Sequence, residues 1–455
     1  MNDVSPSITS PSAAMEFIKD NDVKFVRLGF CDIFGFQKNI SIMTSELESA
    51  FENGVSFDAH VIRGFRDITQ SDLFLFPDPS TLAVLPWRPG PGRVVRFFCD
   101  IKTPGGGGAV FEHDTRNVLK QVTRRAERMG YVSKIGAECE FYLFKTGENG
   151  EPSKTALDKG TYMDIGPLDK GEDIRREICL TLEEMGISPE SSHHEQGPGQ
   201  NEIDFKFDDA VVSADNLQTF KNVVKAIASR NGLFASFLPK PLPEYPGSGM
   251  HINLSLYQNG KNIFKNVNEG HSKIAESFIA GILDKTPEIT LFLNPISNSY
   301  ERLGKFEAPR YVSWSHQNRS QLVRIPAVSA GSCTESSAEK VRMELRSPDP
   351  SLNPYLAFAL IISAGLDGIE KDAPLQHAID ADLYKADRVI TKNLVQLPDT
   401  LNKAISMAEN SAFVKSVTGE ALLSKYIELK KAEERDFFRV NDKTKFFNEM
   451  YFNII

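Results

Sequence analysis

Residues 136–144 read Gly-Ala-Glu-Cys-Glu-Phe-Tyr-Leu-Phe, and polar and apolar side chains alternate along this stretch. Successive residues of a β-strand point to opposite faces of the sheet. One face therefore carries Glu138, Glu140 and Tyr142, whereas the other face is apolar. The pattern predicts a half-buried strand with two carboxylates side by side on its polar face.

The same alternation recurs in three other segments, residues 201–207, 250–256 and 342–346. We predict that all four segments are antiparallel strands with one apolar and one polar face. A polar face in contact with solvent is the usual result of such alternation. Here, however, the polar faces carry Glu202, Asp204 and Lys206, then His251, Asn253 and Ser255, and finally Arg342, Glu344 and Arg346.

Two carboxylates on one strand face repel each other unless a positive charge lies between them. A divalent cation would supply that charge. Oxygen-rich sites with one imidazole suit Mg²⁺ or Mn²⁺, and zinc is disfavoured because no cysteine accompanies the histidine. The spacing alone leaves metal sites and solvated strand faces both open. The candidate ligands are Glu138, Glu140, Glu195, Glu202, His251 and Glu344.

Arginines are concentrated in one part of the chain, since residues 302–346 contain six of them. A guanidinium group binds phosphate or carboxylate through a planar pair of donors, although some of these arginines can equally form surface ion pairs. Metal ions, arginines and acids together are the groups that support phosphoryl transfer from ATP. The sequence lacks the motif GxxxxGK[ST], so a P-loop enzyme is excluded.

Composition excludes several classes of protein. The chain has 455 residues, 52 Lys and Arg against 61 Asp and Glu, a net charge of −9 and 41% hydrophobic residues. These values are ordinary for a globular protein, and the acidity argues against a nucleic-acid partner. Five cysteines without a CxxC pair indicate reduced thiols. No apolar run reaches about 18 residues. We therefore expect a cytoplasmic protein that does not bind membranes.

Two regions of the chain differ in their patterns. Short strands dominate residues 15–104, which follow a loose arm at residues 1–14, and Gly105–Gly108 reads as a linker. Helices and strands are mixed in residues 105–455, which predicts an α+β domain. The main helices predicted there cover residues 114–129, 173–185, 214–229, 272–284 and 354–369.

Several motifs occur together along the chain. They are Phe57-Asp58 with Gly64-Phe65, Glu138-Cys139-Glu140, His193-His194-Glu195 with Gly199-Gln200-Asn201-Glu202, Gly247-Ser248-Gly249-Met250-His251, Asn298-Ser299-Tyr300-Glu301-Arg302, Glu307-Ala308-Pro309, Asn318-Arg319-Ser320, and Glu344-Leu345-Arg346. In combination they resemble the type I glutamine synthetase family over nearly the whole chain. The resemblance implies an N-terminal β-grasp domain and then a catalytic domain of the glutamine synthetase/guanidino kinase type, with a curved antiparallel sheet and flanking helices.

The resemblance also implies a function. Members of this family are ATP-dependent ligases that form glutamine from L-glutamate and ammonia through a γ-glutamyl phosphate. They assemble as dodecamers of two hexameric rings, with active sites between subunits. Two or more Mg²⁺ or Mn²⁺ ions would bind at each site. Their ligands would be Glu140, Glu195 and Glu202 for one ion, and Glu138, His251 and Glu344 for the other.

Other positions match family residues that contact substrates. Asp58 matches the residue that a neighbouring subunit offers to bind and deprotonate ammonium, Glu307 matches a flap that closes the site, and Arg319 matches a residue that handles the transferred phosphate. The ATP-binding positions are Glu190, Phe207, Ser255, Arg324 and Arg342. The positions that bind glutamate or ammonium are Tyr162, Gly247, Arg302 and Arg346.

The sequence departs from the family pattern near the substrates. The segment Ala59-His60-Val61-Ile62-Arg63 replaces a Gly-Ser-Ser segment and its acidic neighbour, and Pro246 replaces the usual Asn. Such changes are consistent with drift or altered regulation, or with a different amine acceptor. Three functions therefore stay open: a glutamine synthetase, a γ-glutamyl-amide ligase that uses an organic amine or polyamine, and a non-catalytic structural member of the family.

Overall fold

A computed structural model describes residues 8–87, 92–105, 108–265, 271–327 and 340–455. Its first part is a mixed six-stranded sheet, whose strands are β1 (Val23–Cys31), β2 (Gln37–Met43), β3 (Val55–Asp58), β4 (Asp72–Pro77), β5 (Ala83–Val84) and β6 (Arg93–Lys102). Their order in the sheet is β2-β1-β6-β4-β3, with β5 paired to β6. Strand β1 is antiparallel to β2 and parallel to β6.

The predicted loose arm at residues 1–14 is wrong at its C-terminal end, because helix α1 begins at Pro11 and runs to Asp20. The hydroxyl of Ser10 accepts a hydrogen bond from the backbone of Ala13 at 3.2 Å, and proline is favoured at the first position of a helix. Residues 1–7 lie outside the described residues. Helix α2 covers Leu47–Asn53.

The second part contains an eleven-stranded sheet in the order β15-β16-β17-β13-β7-β10-β9, with four short strands paired to β7 or β13. It is antiparallel except for the pair β15–β16. Its strands are β7 (Val132–Thr146), β8 (Pro152–Ala156), β9 (Pro189–His194), β10 (Gln200–Phe205), β11 (Asp208–Asp209), β12 (Leu233–Ser236), β13 (Met250–Gln258), β14 (Lys261–Asn262), β15 (Trp314–His316), β16 (Val323–Ile325) and β17 (Met343–Leu345).

The four strands predicted from their alternation are direct neighbours in this sheet, in the order β17-β13-β7-β10. Glu202 pairs with Glu140, His251 pairs with Glu138, and Asn253 pairs with Glu344. Directly opposed side chains on one sheet face approach to about 5 Å. The predicted antiparallel arrangement is therefore confirmed, and it places the polar residues in one continuous surface.

Helices alternate with and follow the strands of this sheet, and those at residues 115–128, 172–184 and 210–230 contact it. They are α3 (Thr115–Arg128), α4 (Glu172–Glu184), α5 (Ala210–Arg230), α6 (Lys273–Leu293), α7 (Ser299–Arg302), α8 (Pro354–Glu370), α9 (Arg388–Thr391), α10 (Leu401–Glu409), α11 (Ala412–Thr418), α12 (Glu420–Arg439) and α13 (Lys443–Phe447). Of the helices in the described part of the chain, none is both long and apolar enough to cross a membrane.

Helices α6 and α8 form the centre of the core and approach each other closely at glycine. A Cβ atom on Gly281 would lie 2.2 Å from the carbonyl oxygen of Ala364, and one on Gly368 would lie 2.1 Å from that of Ser277. Any side chain at either glycine would push the two helices apart, so these positions fix the helix spacing.

A buried ion cluster joins the N-terminal sheet to the helices. The guanidinium of Arg116 in α3 lies 3.0 Å from both Asp78 and Asp100, and 2.8 Å from Asp215 in α5. Asp215 also accepts a hydrogen bond from Tyr355 at 2.7 Å. The domain boundary between residues 104 and 105 stays a prediction, and Gly106 and Gly107 of the predicted linker lie outside the described residues.

Candidate active site

The polar face of the large sheet lines a cavity of about 640 Å³. Strands β7, β10 and β13 form its floor, and segments around residues 302–308 and 319–324 form its rim. Of the residues predicted from the sequence, those that line the cavity are Glu138, Glu140, Tyr162, Glu195, Glu202, Gly247, His251, Arg302, Glu307, Arg319, Arg324 and Arg342.

One group of potential metal ligands consists of Glu138, His251 and Glu344, whose ligand atoms lie within 4.8 Å of one another. Nδ1 of His251 lies 3.4 Å from Glu138 and 3.8 Å from Glu344. The three residues come from the adjacent strands β7, β13 and β17. These are the three residues that the resemblance assigns to a single ion.

Glu344 is fully buried between two arginines. Nη1 of Arg324 lies 2.5 Å from one carboxylate oxygen, and Arg346 contacts the other. Arg346 is itself fully buried and is held by the backbone carbonyl of Arg319 at 3.1 Å. The two guanidinium groups thus provide the hydrogen-bond donors that a buried carboxylate needs.

A second set of acids shares the cavity. Glu140 and Glu202 form a group with His251, and Glu202 and Glu195 form another with His193. The residues assigned to the other ion by the resemblance thus fall into two groups that overlap at Glu202. Nε2 of His193 lies 2.8 Å from Glu195.

Burial and mutual repulsion raise the pKa values of two of these acids. Burial, and then the charge of Glu195, raises the pKa of Glu140 to about 8. Burial and four neighbouring carboxylates raise the pKa of Glu202 well above its usual value. Burial would also raise the pKa of Glu138, but hydrogen bonds from His251 and Asn253 lower it to about 2. Oxygen donors with one imidazole and excess negative charge fit hard divalent cations such as Mg²⁺ or Mn²⁺.

Arginines lie beside these acids in the cavity and in its wall. Arg302 is buried and donates hydrogen bonds to the backbone oxygens of Ser347 at 2.8 Å and Arg346 at 3.3 Å. Gly247 packs on Arg302 so tightly that a Cβ atom there would lie 3.0 Å from Cγ of the arginine. Nε of Arg342 donates to Asn253 at 2.8 Å. Guanidinium groups such as these can bind anionic oxygens.

Two groups at the cavity rim are accessible to solvent. Glu307 accepts a hydrogen bond from Gln196 at 3.1 Å, and its other oxygen lies 3.5 Å from Arg346. The ring of Tyr162 packs edge-on against His193, with centroids 5.4 Å apart. Both side chains can move without disturbing the core, because about half of each is exposed.

The remaining predicted residues are not among the described residues that line the cavity. Glu344 and Arg346 lie directly behind its wall. Glu190 lies on β9, Ser255 lies on β13, and Phe207 follows the end of β10. The centre of the Phe207 ring is 6.2 Å from that of Tyr257. Asp58 ends β3 in the other sheet, where Nδ1 of His60 lies 2.6 Å from its carboxylate. The chain does not bring Asp58 to its own cavity.

Sequence reasoning missed several cavity residues. Nε2 of Gln200 donates to Glu140 at 2.8 Å and so orients that carboxylate. Asp204 also lines the cavity, and burial raises its pKa to about 6. The alternation of β10 had placed Asp204 on the polar face, and that signal could have identified it. The others that the sequence left without a role are Thr161, His193, Gln196, Lys305, Phe306 and Ala308.

Comparison with known proteins identifies the family. A family model described as "Glutamine synthetase, catalytic domain" matches residues 112–448. A second, "Glutamine synthetase, beta-Grasp domain", matches residues 22–104. The chain belongs to the glutamine synthetase family. The expected α+β fold, a β-grasp domain followed by this family's catalytic domain, is thereby confirmed.

Relatives within the glutamine synthetase family match most of the chain. A protein from Clostridium saccharobutylicum named glutamine synthetase is 43% identical over 428 residues, which cover 93% of this chain and 94% of the relative. One of the same name from Methanosarcina mazei is 44% identical over 430 residues, with the same coverage. These similarities extend across both domains.

Solved structures of the family share the fold. A structure described as a GmaS/ADP complex has a TM-score of 0.84 and 29% identity, and the match covers 97% of this chain and 99% of that one. A cryo-EM structure of Plasmodium falciparum glutamine synthetase has the same TM-score and 26% identity, and covers 96% of this chain and 98% of that one.

Proposed function

We propose that this protein is an ATP-dependent ligase that forms glutamine from L-glutamate and ammonia, with ADP and phosphate as the other products. The observation that carries the proposal is the cavity itself, in which acid clusters and arginines lie together. The relatives named glutamine synthetase, at 42–44% identity, support this substrate pair. We also propose a cytoplasmic location.

Two divalent cations would be held by the acid clusters. Glu138, His251 and Glu344 would hold one, and Glu140, Glu195 and Glu202 would hold the other. When bound, Mg²⁺ or Mn²⁺ offsets charge on the phosphate oxygens of ATP and on the transferred phosphoryl group. The raised pKa of Glu140 supports a need for positive charge there.

Different residues of the cavity and its wall are assigned to the two substrates. For ATP, we assign the nucleotide to Glu190, Phe207 and Ser255, and its phosphates to Arg324 and Arg342. Arg319 would stabilise charge on the transferred phosphate. For glutamate, the assigned residues are Gly247, Arg302 and Arg346, because buried guanidinium groups can bind its carboxylates.

Ammonium is not a nucleophile, so a carboxylate must remove one of its protons. We assign this role to Asp58 of a neighbouring subunit, with Tyr162 and Glu195 completing the cation pocket. Asp58 lies outside its own cavity and is exposed, which supports a site shared between chains. A dodecamer of two hexameric rings would provide such sites.

An acyl phosphate reacts readily with water, so the site must close during the reaction. We assign closure to Glu307. Its ion pair with Arg346 at 3.5 Å already connects the rim to the buried arginines. Closure would therefore exclude water from the carbonyl carbon that ammonia attacks.

Two alternatives are disfavoured. A γ-glutamyl-amide ligase would draw support from the segment Ala59–Arg63 and from Pro246, but the relatives that match the chain at 42–44% identity are named glutamine synthetase. A non-catalytic role is disfavoured by the intact acid and arginine groups of the cavity.

The test is phosphate release from ATP and Mg²⁺ with L-glutamate, in which ammonium is compared with a panel of monoamines and polyamines. We expect strong release with ammonium, and glutamine as the product. Release with an organic amine alone would replace the proposal by an amide ligase. Absence of release with any acceptor would overturn both.

A further inference from the structure

Asp204 is an acidic residue of the cavity to which neither the resemblance nor the metal-ligand groups give a role. It lies on the polar face of β10, directly opposite Glu138 of β7. The hydroxyl of Ser191 donates a hydrogen bond to its Oδ2 and fixes the carboxylate. Its Oδ1 is buried, and among the residues that the structure describes it finds no hydrogen-bond partner.

Three other carboxylates of this wall have donors. Glu138 accepts a hydrogen bond from Asn253 at 2.7 Å, Glu140 accepts one from Gln200 at 2.8 Å, and Glu344 is held by two arginines. A buried carboxylate oxygen without a donor is costly, so it indicates a missing partner. Glu138 and Glu202 flank Asp204, and their negative charges would repel a phosphate. The missing partner is therefore a cation, or a hydrogen-bond donor such as a water molecule bound to a cation.

Distance selects between these two possibilities. The ligand atoms of Glu138, His251 and Glu344 lie within 4.8 Å of one another, and Asp204 belongs to none of the groups found by this criterion in the described chain. It is therefore too far away to join that group directly. Mg²⁺ keeps several water ligands in proteins, and the groups that orient such ligands set metal affinity.

We propose that Asp204 accepts a hydrogen bond from a water ligand of the cation held by Glu138, His251 and Glu344, and so acts as a positioning residue for that metal centre. The inference rests on the proposed function, because it requires a cation at this group. It adds a fourth protein contact, which acts through water and comes from the neighbouring strand β10.

The test is a titration of the full-length assembled protein with Mn²⁺ in the absence of substrates. The electron paramagnetic resonance signal of free Mn²⁺ measures how much of the metal is bound. We expect Asp204→Asn to weaken one class of sites by roughly 10-fold or more, since loss of such contacts typically costs 10–100-fold in affinity. Asp208→Asn is the matched control, because Asp208 lies outside the cavity and 3.9 Å from Lys134. It should bind Mn²⁺ as the unaltered protein does.

A second measurement separates this role from a purely structural one. Without metal, Asp204→Asn should raise the unfolding temperature, because it removes one buried charge from a group of carboxylates. If Asp204 only anchors β9 through Ser191, the same variant should lower that temperature and leave Mn²⁺ affinity unchanged, which overturns the inference. Failure of the unaltered protein to bind any divalent cation would instead overturn the proposed function.

Discussion

Nη2 of Arg63 lies 3.2 Å from Oε2 of Glu433, and this ion pair ties the segment that follows Asp58 to helix α12. The guanidinium also stacks on Phe34, with Cζ 4.5 Å from the ring centre. Glu433 is buried and receives a further hydrogen bond from Tyr451 at 2.7 Å. An arginine at one of the positions that depart from the family pattern thus fixes the segment that carries Asp58.

Replacing Arg63 by methionine should impair the use of ammonium selectively. We expect the KM for ammonium to rise by up to about tenfold, because small displacements of catalytic groups have large kinetic effects. The KM values for ATP and glutamate should stay unchanged. Arg66→Met is the control, since Arg66 pairs with the partly exposed Glu112 instead. An equal rise in all three KM values would contradict this role.

Asp58→Asn should discriminate between charged and neutral acceptors. Ammonium must lose a proton before it attacks, whereas hydroxylamine is largely neutral near pH 7. We expect kcat/KM for ammonium to fall by about 10²–10⁴-fold, the usual contribution of a general base. Steady-state assays with hydroxylamine should show a much smaller loss. Equal losses with both acceptors would point to a role in assembly rather than in proton removal.

Glu307→Gln should uncouple ATP hydrolysis from glutamine formation. The substitution removes the charge that faces Arg346, so the rim should close less firmly over the acyl phosphate. Phosphate released per glutamine formed, measured in parallel assays, should rise above one. Glu301→Gln, at an exposed position nearby, serves as the control and should keep a ratio of one. A coupled but slower Glu307 variant would refute closure by this residue.

Acid should weaken the cluster that joins the two domains. Burial raises the pKa of Asp78, but the charges of Arg116 and Lys120 and a hydrogen bond from Ser80 outweigh burial and lower it to about 2, from 3.8. A carboxyl group whose pKa is lower in the folded state stabilises the protein above its unfolded pKa, and this contribution is lost as pH falls toward the folded pKa. The stabilisation that Asp78 provides should therefore be lost as the pH falls from 3.8 to about 2.

Urea unfolding of Asp78→Asn measures this contribution. We expect the variant to be less stable at pH 7 by about 1–2 kcal/mol, allowing for solvent screening. By pH 3 the difference should shrink to about half. Asp72→Asn, at an exposed position of β4, the strand that precedes Asp78, should show no such trend. A pH-independent difference would mean that Asp78 acts through packing alone.

Local pattern was sufficient to assign the faces of the strands. The two-residue period of a strand is geometric, so Glu138, Glu202, His251 and Glu344 could be placed on polar faces from the sequence. Which strand neighbours which depends on contacts between distant parts of the chain. Alternation therefore indicated the acid surface, but it did not predict that Asp204 would lack a donor.

Tertiary packing overrode local rules elsewhere. Helix α6 was predicted to end near Asp284, and that end is wrong because the helix continues through Pro287 to Leu293. Proline costs a backbone hydrogen bond, but burial of residues such as Ile289 and Leu291 compensates for this loss. The free energy gained from this burial depends on contacts with α8, which lies far along the sequence.

The separation of Asp58 from the cavity of its own chain has a consequence for mixed populations. In the proposed shared site, two impaired proteins, one altered at Asp58 and one at Glu307, would each retain an intact half. Dissociated and reassembled together in equal amounts, they should regain roughly a quarter of the normal activity, because one interface in four joins the two intact halves. A cell that makes both variants would therefore keep some active enzyme. Activity measured on either variant alone would not show which chain supplies which half of the site.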